Sequence, residues 1–274
     1  MPFTDIIDAS SIYLKQDAMK IAAAEAIKAF ESDPSSVSVD RDLVQRHATL
    51  ANKLGLPIFL QQLANDLSPI TLQPLSSEDA ATVKTALPGA TILWNELVAG
   101  APIVLGPEFE PSDTYLTYPT PSRADQLAFE RLNRSYQTAG RSTILPLELF
   151  LKLCTDSDIV HNSLARSIAL KADAPKGRLT VDASREGLNF EDKKGILAAK
   201  WGDIIYPTIA DYCQLVVDFR NHFCEPVHLF KMDKEAWYRR IRLSPTIMPL
   251  LSFSIHLDNI PHIVIPTAQQ FGVQ

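Results

Sequence analysis

Residues 250–266, LLSFSIHLDNIPHIVIP, decide how the end of this chain folds. Two apolar runs lie on either side of Asp258 and Asn259, two residues that favour turns. Short apolar runs separated by such a pair are typical of antiparallel strands joined by a tight turn. We therefore expect a β-hairpin here.

A second hairpin is predicted upstream. Residues 163–172, SLARSIALKA, and 177–184, GRLTVDAS, are short β-prone runs, and the residues between them have the composition of a reversing turn. Residues 229–232, LFKM, read as a further strand, with Asp233 just beyond it. Between these strands, residues 206–220 place their apolar side chains on one helical face: Ile209, Tyr212, Leu215, Val216 and Phe219.

The first half of the chain reads as helical. Residues 5–30 are rich in Ala, Ile and Lys with apolar spacings of three and four. Residues 41–67 are expected to form two helices, because Gly55 and Pro57 interrupt them. Ser76 with Asp79 and Ser122 with Asp125 resemble helix N-terminal caps. The predicted fold class is α+β, divided into a helical region 1–120, a helical lead-in 121–160 and a region 161–274 with short hairpins.

Composition narrows the classes of protein. The 274 residues are 46% hydrophobic, which is enough for a substantial core, and three cysteines are too few for a disulfide framework. We expect an intracellular protein of the cytoplasm or nucleus that does not enter a membrane, because no apolar stretch reaches about 20 residues. The net charge is −6, yet residues 164–242 hold 14 Lys/Arg against 11 Asp/Glu. This basic block could face a polyanion or simply solvate a surface.

Asp233 is the sharpest candidate for chemistry. An acidic residue at the end of a buried strand needs a cation or a donor to neutralise it. Phosphoryl transfer by polymerases uses such carboxylates, because hard divalent cations prefer oxygen ligands. Lys171, Lys176 and Arg178, on or beside the first hairpin, could hold phosphates, although a lysine at the position of Lys176 is more often an exposed turn cation than a ligand.

Residues 160–274 resemble the reverse transcriptases of retrotransposons, of the tyrosine-recombinase and related long-terminal-repeat types. That family has a fingers hairpin K-x(6)-R-x(3)-D, then D-x-x-x-A-[FY] in the palm, and later a hairpin leading to [LP]-x-[FQ]-G. Lys171, Arg178 and Asp182 stand at the first spacing. Asp233 precedes Tyr238 by five residues, and the last predicted hairpin leads to 271–272, Phe-Gly.

The resemblance implies an RNA-directed DNA polymerase with a partial fingers and palm fold. Lys171 and Arg178 would contact the incoming nucleoside triphosphate. Asp233 would be the catalytic carboxylate and a ligand of two Mg²⁺ ions, and Tyr238 would lie under the sugar and exclude a 2′-hydroxyl. The implied partners are an RNA or DNA primer-template and the remainder of the polymerase polyprotein.

Two departures from the family pattern qualify this expectation. Trp237 stands where the family has a small Ala. Either the local backbone is shifted or the nucleotide pocket is crowded, and both would change how Tyr238 meets the sugar. The second acidic motif, [YF]-x-D-D, is not in this sequence. Since one carboxylate holds two metal ions poorly, we expect the chain alone to be inactive and to be part of a longer or truncated element.

Two other interpretations stay open. The chain could be a non-catalytic helical interaction module or a capsid-type module with a relic polymerase tail. Zinc is also conceivable, because Cys213, His222, Cys224 and His228 have suitable side chains, but the usual short paired spacing is missing. Neither a glycine-rich phosphate loop nor a G-x-S-x-G elbow is present.

Overall fold

A computed structural model describes residues 3–66, 109–113, 119–171, 174–183, 188, 208–224 and 242–268 of the protein. Its first part is helical, as predicted: α1 is Phe3–Ser32, α2 is Arg41–Leu54 and α3 is Leu56–Asp66, with a 3₁₀ turn at Pro34–Ser36. The predicted interruption is confirmed at Gly55, which ends α2 with a φ of 78°. Such a backbone angle strains residues other than glycine.

The next described segment alternates helix and strand. Helix α4, Arg123–Thr138, begins at Ser122, whose hydroxyl accepts the backbone N–H of Asp125 at 3.2 Å. The predicted cap is therefore confirmed. Strand β1, Ser142–Pro146, and helix α5, Leu147–Asp156, follow directly. We expected only helix between residues 121 and 160, so β1 is an addition to that expectation.

The main sheet has three antiparallel strands. The predicted hairpin of residues 250–266 is present, as β4, Phe253–Leu257, and β5, Ile260–Pro266. Asp258 and Asn259 form its turn, with φ angles of 51° and 66°. Strand β1 pairs with the free edge of β5, so the order is β1-β5-β4. All five residues of β4 are buried, which requires cover on both faces of the sheet.

The other predicted hairpin is also present. Strand β2, Arg166–Lys171, pairs antiparallel with β3, Ala174–Val181, and β3 begins three residues earlier than expected, within the predicted turn. Ile168 and Leu179 are cross-strand partners that are both buried. This apolar face packs against the cluster formed by the other elements.

Helix α6, Ile209–Phe223, matches the predicted helix but not its expected environment. Thr208 and Asp211 form a reciprocal capping box at its start. None of its residues is buried, and Ile209 is 83% exposed. Cys213, a member of the zinc series, lies on this helix and is exposed.

The described part of the chain shares one hydrophobic cluster, to which 1–120, 121–160 and 161–274 all contribute residues. The fold is α+β with small antiparallel sheets, as predicted at that level. Among the described helices, none combines the length and the apolar character needed to cross a bilayer.

Candidate functional site

The hairpin of β2 and β3 carries three of the residues singled out by the sequence, Lys171 on β2 and Lys176 and Arg178 on β3. Lys171 is the last residue of β2, and its backbone pairs with Ala174. Arg178 lies on β3 opposite Ala169 and is half-buried. Because cross-strand partners share a face and neighbours alternate, Arg178 lies on the face opposite to Ile168 and Leu179. Its guanidinium therefore belongs to the face turned away from the core.

Gly177 allows this hairpin to close. Its φ is +73°, and a Cβ atom there would collide with the side chain of Ile168 and lie 3.3 Å from the carbonyl oxygen of Ala169. The strand register is irregular between Ala169 and Lys171. A bulge of this kind changes the direction of a strand locally, so Gly177 and the irregularity together set how Arg178 is presented.

Hydrogen bonds connect the base of this hairpin to the main sheet. The N–H of Leu164, just before β2, donates to the carbonyl of Ser252, just before β4, at 2.8 Å. The N–H of Asp182, just after β3, donates to Ala165 at 2.9 Å. Asp182, the third residue of the K-x(6)-R-x(3)-D pattern, therefore closes the open end of the hairpin through its backbone N–H.

Asp233 and Tyr238 lie outside the described residues, as do 271–272 and the predicted strand 229–232. The described segments nearest to them in sequence begin at Arg242 and end at Ala268. Arg242 forms an antiparallel bridge with Ala268, and the N–H of Leu243 donates to Thr267 at 3.0 Å. The described backbone that begins at Arg242 is therefore paired with the described backbone that ends at Ala268.

Four charged side chains form a cluster that the sequence did not indicate. A nitrogen of Arg41 lies 3.1 Å from Glu130 and 3.0 Å from Asp258, and a nitrogen of Arg123 lies 3.5 Å and 3.3 Å from the same two carboxylates. The members come from α2, α4 and the β4–β5 turn. Their separation by up to 217 residues explains why no local pattern revealed them.

Glu130 is the buried member of this charge cluster, since its side chain is fully inaccessible to solvent. Burial raises the pKa of its carboxyl above the ordinary value, whereas the positive charge of Arg41 and a hydrogen bond from it act in the opposite direction. The arginines are 36% and 48% exposed. Both arginines are balanced by acids, so the cluster is suited to fastening elements together rather than to holding an anion.

An amide pair fastens the same turn. The side chain of Gln126 on α4 donates to the Asn259 side-chain oxygen at 2.7 Å and accepts the Asn259 backbone N–H at 3.2 Å. Gln126 is buried. Gln126 therefore binds Asn259 to α4, and Arg123 binds Asp258 to the same helix. These contacts fix the position of the hairpin that leads to Ala268.

Three histidines line the main sheet. His47 on α2 lies 2.7 Å from the Thr143 hydroxyl of β1, and His256 and His262 lie on β4 and β5. Burial is the main cause that lowers the pKa of all three imidazoles. They are therefore held in the neutral form, which suits a packed interior better than a proton donor.

Nucleophilic and metal chemistry find little support in the described residues. Cys154 lies in a region that includes His161 and Asp113, whose ring nitrogen and carboxylate are 3.1 Å apart. Burial, with a smaller effect of Asp113, raises the pKa of the Cys154 thiol to about 12, so the reactive thiolate does not form. Within the described ranges, no three His, Cys, Asp or Glu side chains are grouped to hold a metal ion. His228 of the zinc series lies outside them.

Comparisons with models of protein families, with curated proteins and with solved structures find no match.

Proposed function

We propose that this chain is the fingers and early palm portion of a retroelement RNA-directed DNA polymerase. The observation that carries the proposal is the β2–β3 hairpin, which has Lys171 and Arg178 on adjacent antiparallel strands, at the spacing of the family it resembles. A hairpin is a suitable support for phosphate-binding cations, because paired strands hold side chains at fixed separations. Arg178 would form bidentate bonds to phosphate, and Lys171 would act as a point charge.

The order of the remaining elements supports the same proposal. The bridge between Arg242 and Ala268 pairs the described residues nearest in sequence to Tyr238 and to 271–272, the positions of two family motifs. Tyr238 is four residues from the bridge along the chain, a span of at most about 14 Å. Asp233 would be the ligand of Mg²⁺, which in such enzymes activates the attacking hydroxyl and neutralises the triphosphate. No second acidic motif accompanies it in this sequence, so we expect no nucleotide incorporation by this chain alone.

The alternative, a non-catalytic interaction module, is favoured by one observation. The apolar stripe of α6 is exposed, with Tyr212, Leu215, Phe219 and Phe223 each about half accessible. Exposed apolar surface of this kind is common where another surface docks. A module of that class would not need Lys171 and Arg178.

Binding of nucleic acid and nucleotide separates the two proposals. A fluorescent primer-template is titrated with the purified chain at several salt concentrations, and a labelled deoxynucleoside triphosphate is titrated in the presence of Mg²⁺. We expect Lys171→Ala/Arg178→Ala to weaken triphosphate binding by about a hundredfold or more, because each phosphate contact to a charged donor contributes about 1.5–3 kcal/mol and the double variant removes two. Arg46→Ala is the matched control, since Arg46 is an exposed arginine of α2.

The outcomes are distinct. Wild-type binding that is weakened by the double variant and unchanged by the control supports the polymerase proposal. A wild-type chain that binds neither ligand, or equal effects of the double variant and the control, contradicts it and favours the interaction module. Incorporation of nucleotide by the wild-type chain that Asp233→Ala abolishes would contradict the expected inactivity.

A further inference from the structure

We infer that Asn162 is the positioning residue of the β2–β3 hairpin. Asn162 is completely buried and lies four residues before β2. Its side-chain oxygen accepts the backbone N–H of Ser112 at 2.8 Å, and its side-chain nitrogen donates to the carbonyl of Leu250 at 3.4 Å. One side chain thus connects three segments of the chain that are distant in sequence.

The backbone around Asn162 repeats these connections. Its own N–H donates to Pro249 at 3.2 Å, and the N–H of the next residue, Ser163, donates to the Ser112 carbonyl at 3.0 Å. Pro249 and Leu250 belong to the 3₁₀ turn Met248–Leu251, which leads directly into β4. The amide therefore lies at the junction between the start of the hairpin and the start of the main sheet.

Directional contacts matter at this junction because apolar packing holds the inner face of the hairpin. Ile168 and Leu179 bury its inner face, and Arg166 stacks over the ring of Phe129 at 4.5 Å. Apolar burial stabilises the hairpin without fixing its orientation, whereas hydrogen bonds weaken steeply when donor and acceptor turn away from each other. Asn162, together with the backbone bond from Leu164 to Ser252, thus sets the angle at which the outer face, with Arg178, stands relative to the main sheet.

The consequence for function rests on the proposed nucleotide site. In that site the hairpin supplies the phosphate-binding cations, and the segments next to Arg242 and Ala268 belong to the other side. Removing the Asn162 amide would then move Arg178 out of register with the bound triphosphate while the hairpin stays folded. Phosphate recognition by a guanidinium depends strongly on such alignment.

Asn133 provides a matched control. It is also a completely buried asparagine, on α4, and its side-chain nitrogen donates to the Phe129 carbonyl one turn earlier in the same helix at 2.8 Å. Its bond therefore joins no separate segments. Asn133→Ala should disturb the core as Asn162→Ala does, without releasing the base of the hairpin.

The experiment measures orientation directly. Spin labels are attached at Ala169, exposed on the hairpin, and at Ile260, exposed at the start of β5, in a chain whose exposed Cys213 and Cys224 are replaced by serine. Pulsed electron paramagnetic resonance then gives the distribution of distances between the labels. The same variants, without labels, are titrated with the labelled triphosphate in Mg²⁺ at a temperature at which all are folded.

We expect a narrow distance distribution for the wild-type chain and for Asn133→Ala, and a distribution at least twice as broad for Asn162→Ala. The triphosphate dissociation constant should rise about tenfold for Asn162→Ala only. Ser112→Pro, which removes the N–H that Asn162 accepts, should broaden the distribution as well, and it provides the test if Asn162→Ala does not fold.

Equal distributions for the two asparagine variants, or an unchanged one for Ser112→Pro when that variant is used, would overturn the inference. Failure of the wild-type chain to bind triphosphate would instead contradict the proposed function. The distances alone would then still decide whether Asn162 orients the hairpin.

Discussion

Arg41 and Glu130 should respond very unequally to substitution. Arg41→Ala removes a guanidinium 3.1 Å from a carboxylate that has no solvent access. Breaking a buried ion pair from one side costs about 3–5 kcal/mol, because the remaining charge is left without its partner. Arg41 is itself 36% exposed, and Arg123 stays within 3.5 Å of Glu130. We therefore expect a loss below that range, about 2–3 kcal/mol in the free energy of unfolding.

Glu130→Gln should behave differently. It keeps the volume of the side chain and removes the buried charge, whose desolvation raises the pKa of the carboxyl. The two arginines that remain are 36% and 48% exposed and keep Asp258 as a partner, so the substitution leaves no charge both buried and unpaired. We expect a change within about 1 kcal/mol, and we expect the double variant Arg41→Ala/Glu130→Gln to be more stable than Arg41→Ala alone.

Urea unfolding at pH 7, followed by circular dichroism, measures these differences. Glu110→Gln is the control, since Glu110 is an exposed carboxylate outside the cluster and should change stability by about 0.5 kcal/mol or less. The sign of the pH dependence adds a second check. A raised pKa in the folded state means that ionised Glu130 costs stability at neutral pH and that the cost disappears as the pH falls below about 4.5, its ordinary value.

The free energy of unfolding of Glu130→Gln, relative to that of the wild-type chain, should therefore be most favourable at neutral pH. This difference should shrink as the pH falls. A loss of stability for Glu130→Gln as large as that for Arg41→Ala would refute the reasoning. It would show that the ionised carboxylate is a net stabilising group in spite of its burial.

Three further predictions concern the described core. Gly177→Ala should destabilise the chain by about 2–4 kcal/mol, because the new methyl group would collide with Ile168 at a left-handed backbone angle. Thermal unfolding measures this loss of stability. An unchanged midpoint would contradict the prediction and show that the hairpin has room for the methyl group. The pKa values of His47, His256 and His262 are lowered on folding, so the stability that they contribute is complete above about pH 6.5 and is lost as the pH falls through their folded values. Midpoints measured from pH 8 to pH 5 should show this loss, with a smaller one for His262→Gln; identical profiles would contradict the assignment. Gln126→Ala should cost about 1–3 kcal/mol in chemical unfolding, because it leaves the groups of Asn259 without their partner, whereas Gln214→Ala, on exposed α6, should have almost no effect.

The elements that the sequence predicts well are those defined by local patterns. The turn at Asp258 and Asn259, the break at Gly55 and the cap at Ser122 each depend on residues within a few positions. Local backbone preferences and side-chain caps are sufficient to determine such features. Such local patterns were enough to predict both described hairpins and the approximate ends of several helices.

Features built from distant residues were not predictable in this way. Strand β1 has only five residues, and its partner β5 begins more than a hundred positions later. The cluster of Arg41, Arg123, Glu130 and Asp258 joins three elements, and its charges look like ordinary surface residues in the sequence. A pattern read along one chain does not reveal which of its polar residues meet.

Helix α6 is a case in which the element was predictable but its surroundings were not. The spacing of Ile209, Tyr212, Val216 and Phe219 correctly indicated a helix, and its reciprocal cap explains where the helix begins. Periodicity predicts which residues share a face but not what covers that face. The helix was therefore predicted, and its exposure was not.

The most direct test of the polymerase proposal is to locate the nucleic acid on the chain. A primer-template carrying photoreactive bases is bound to the wild-type protein, cross-linked by light and mapped by mass spectrometry of the attached peptides. The proposal predicts cross-links in peptides from residues 166–181, competed by unlabelled primer-template and reduced by Arg178→Ala. Specific cross-links confined to residues 3–66, or none above the level of an unrelated acidic protein, would contradict it.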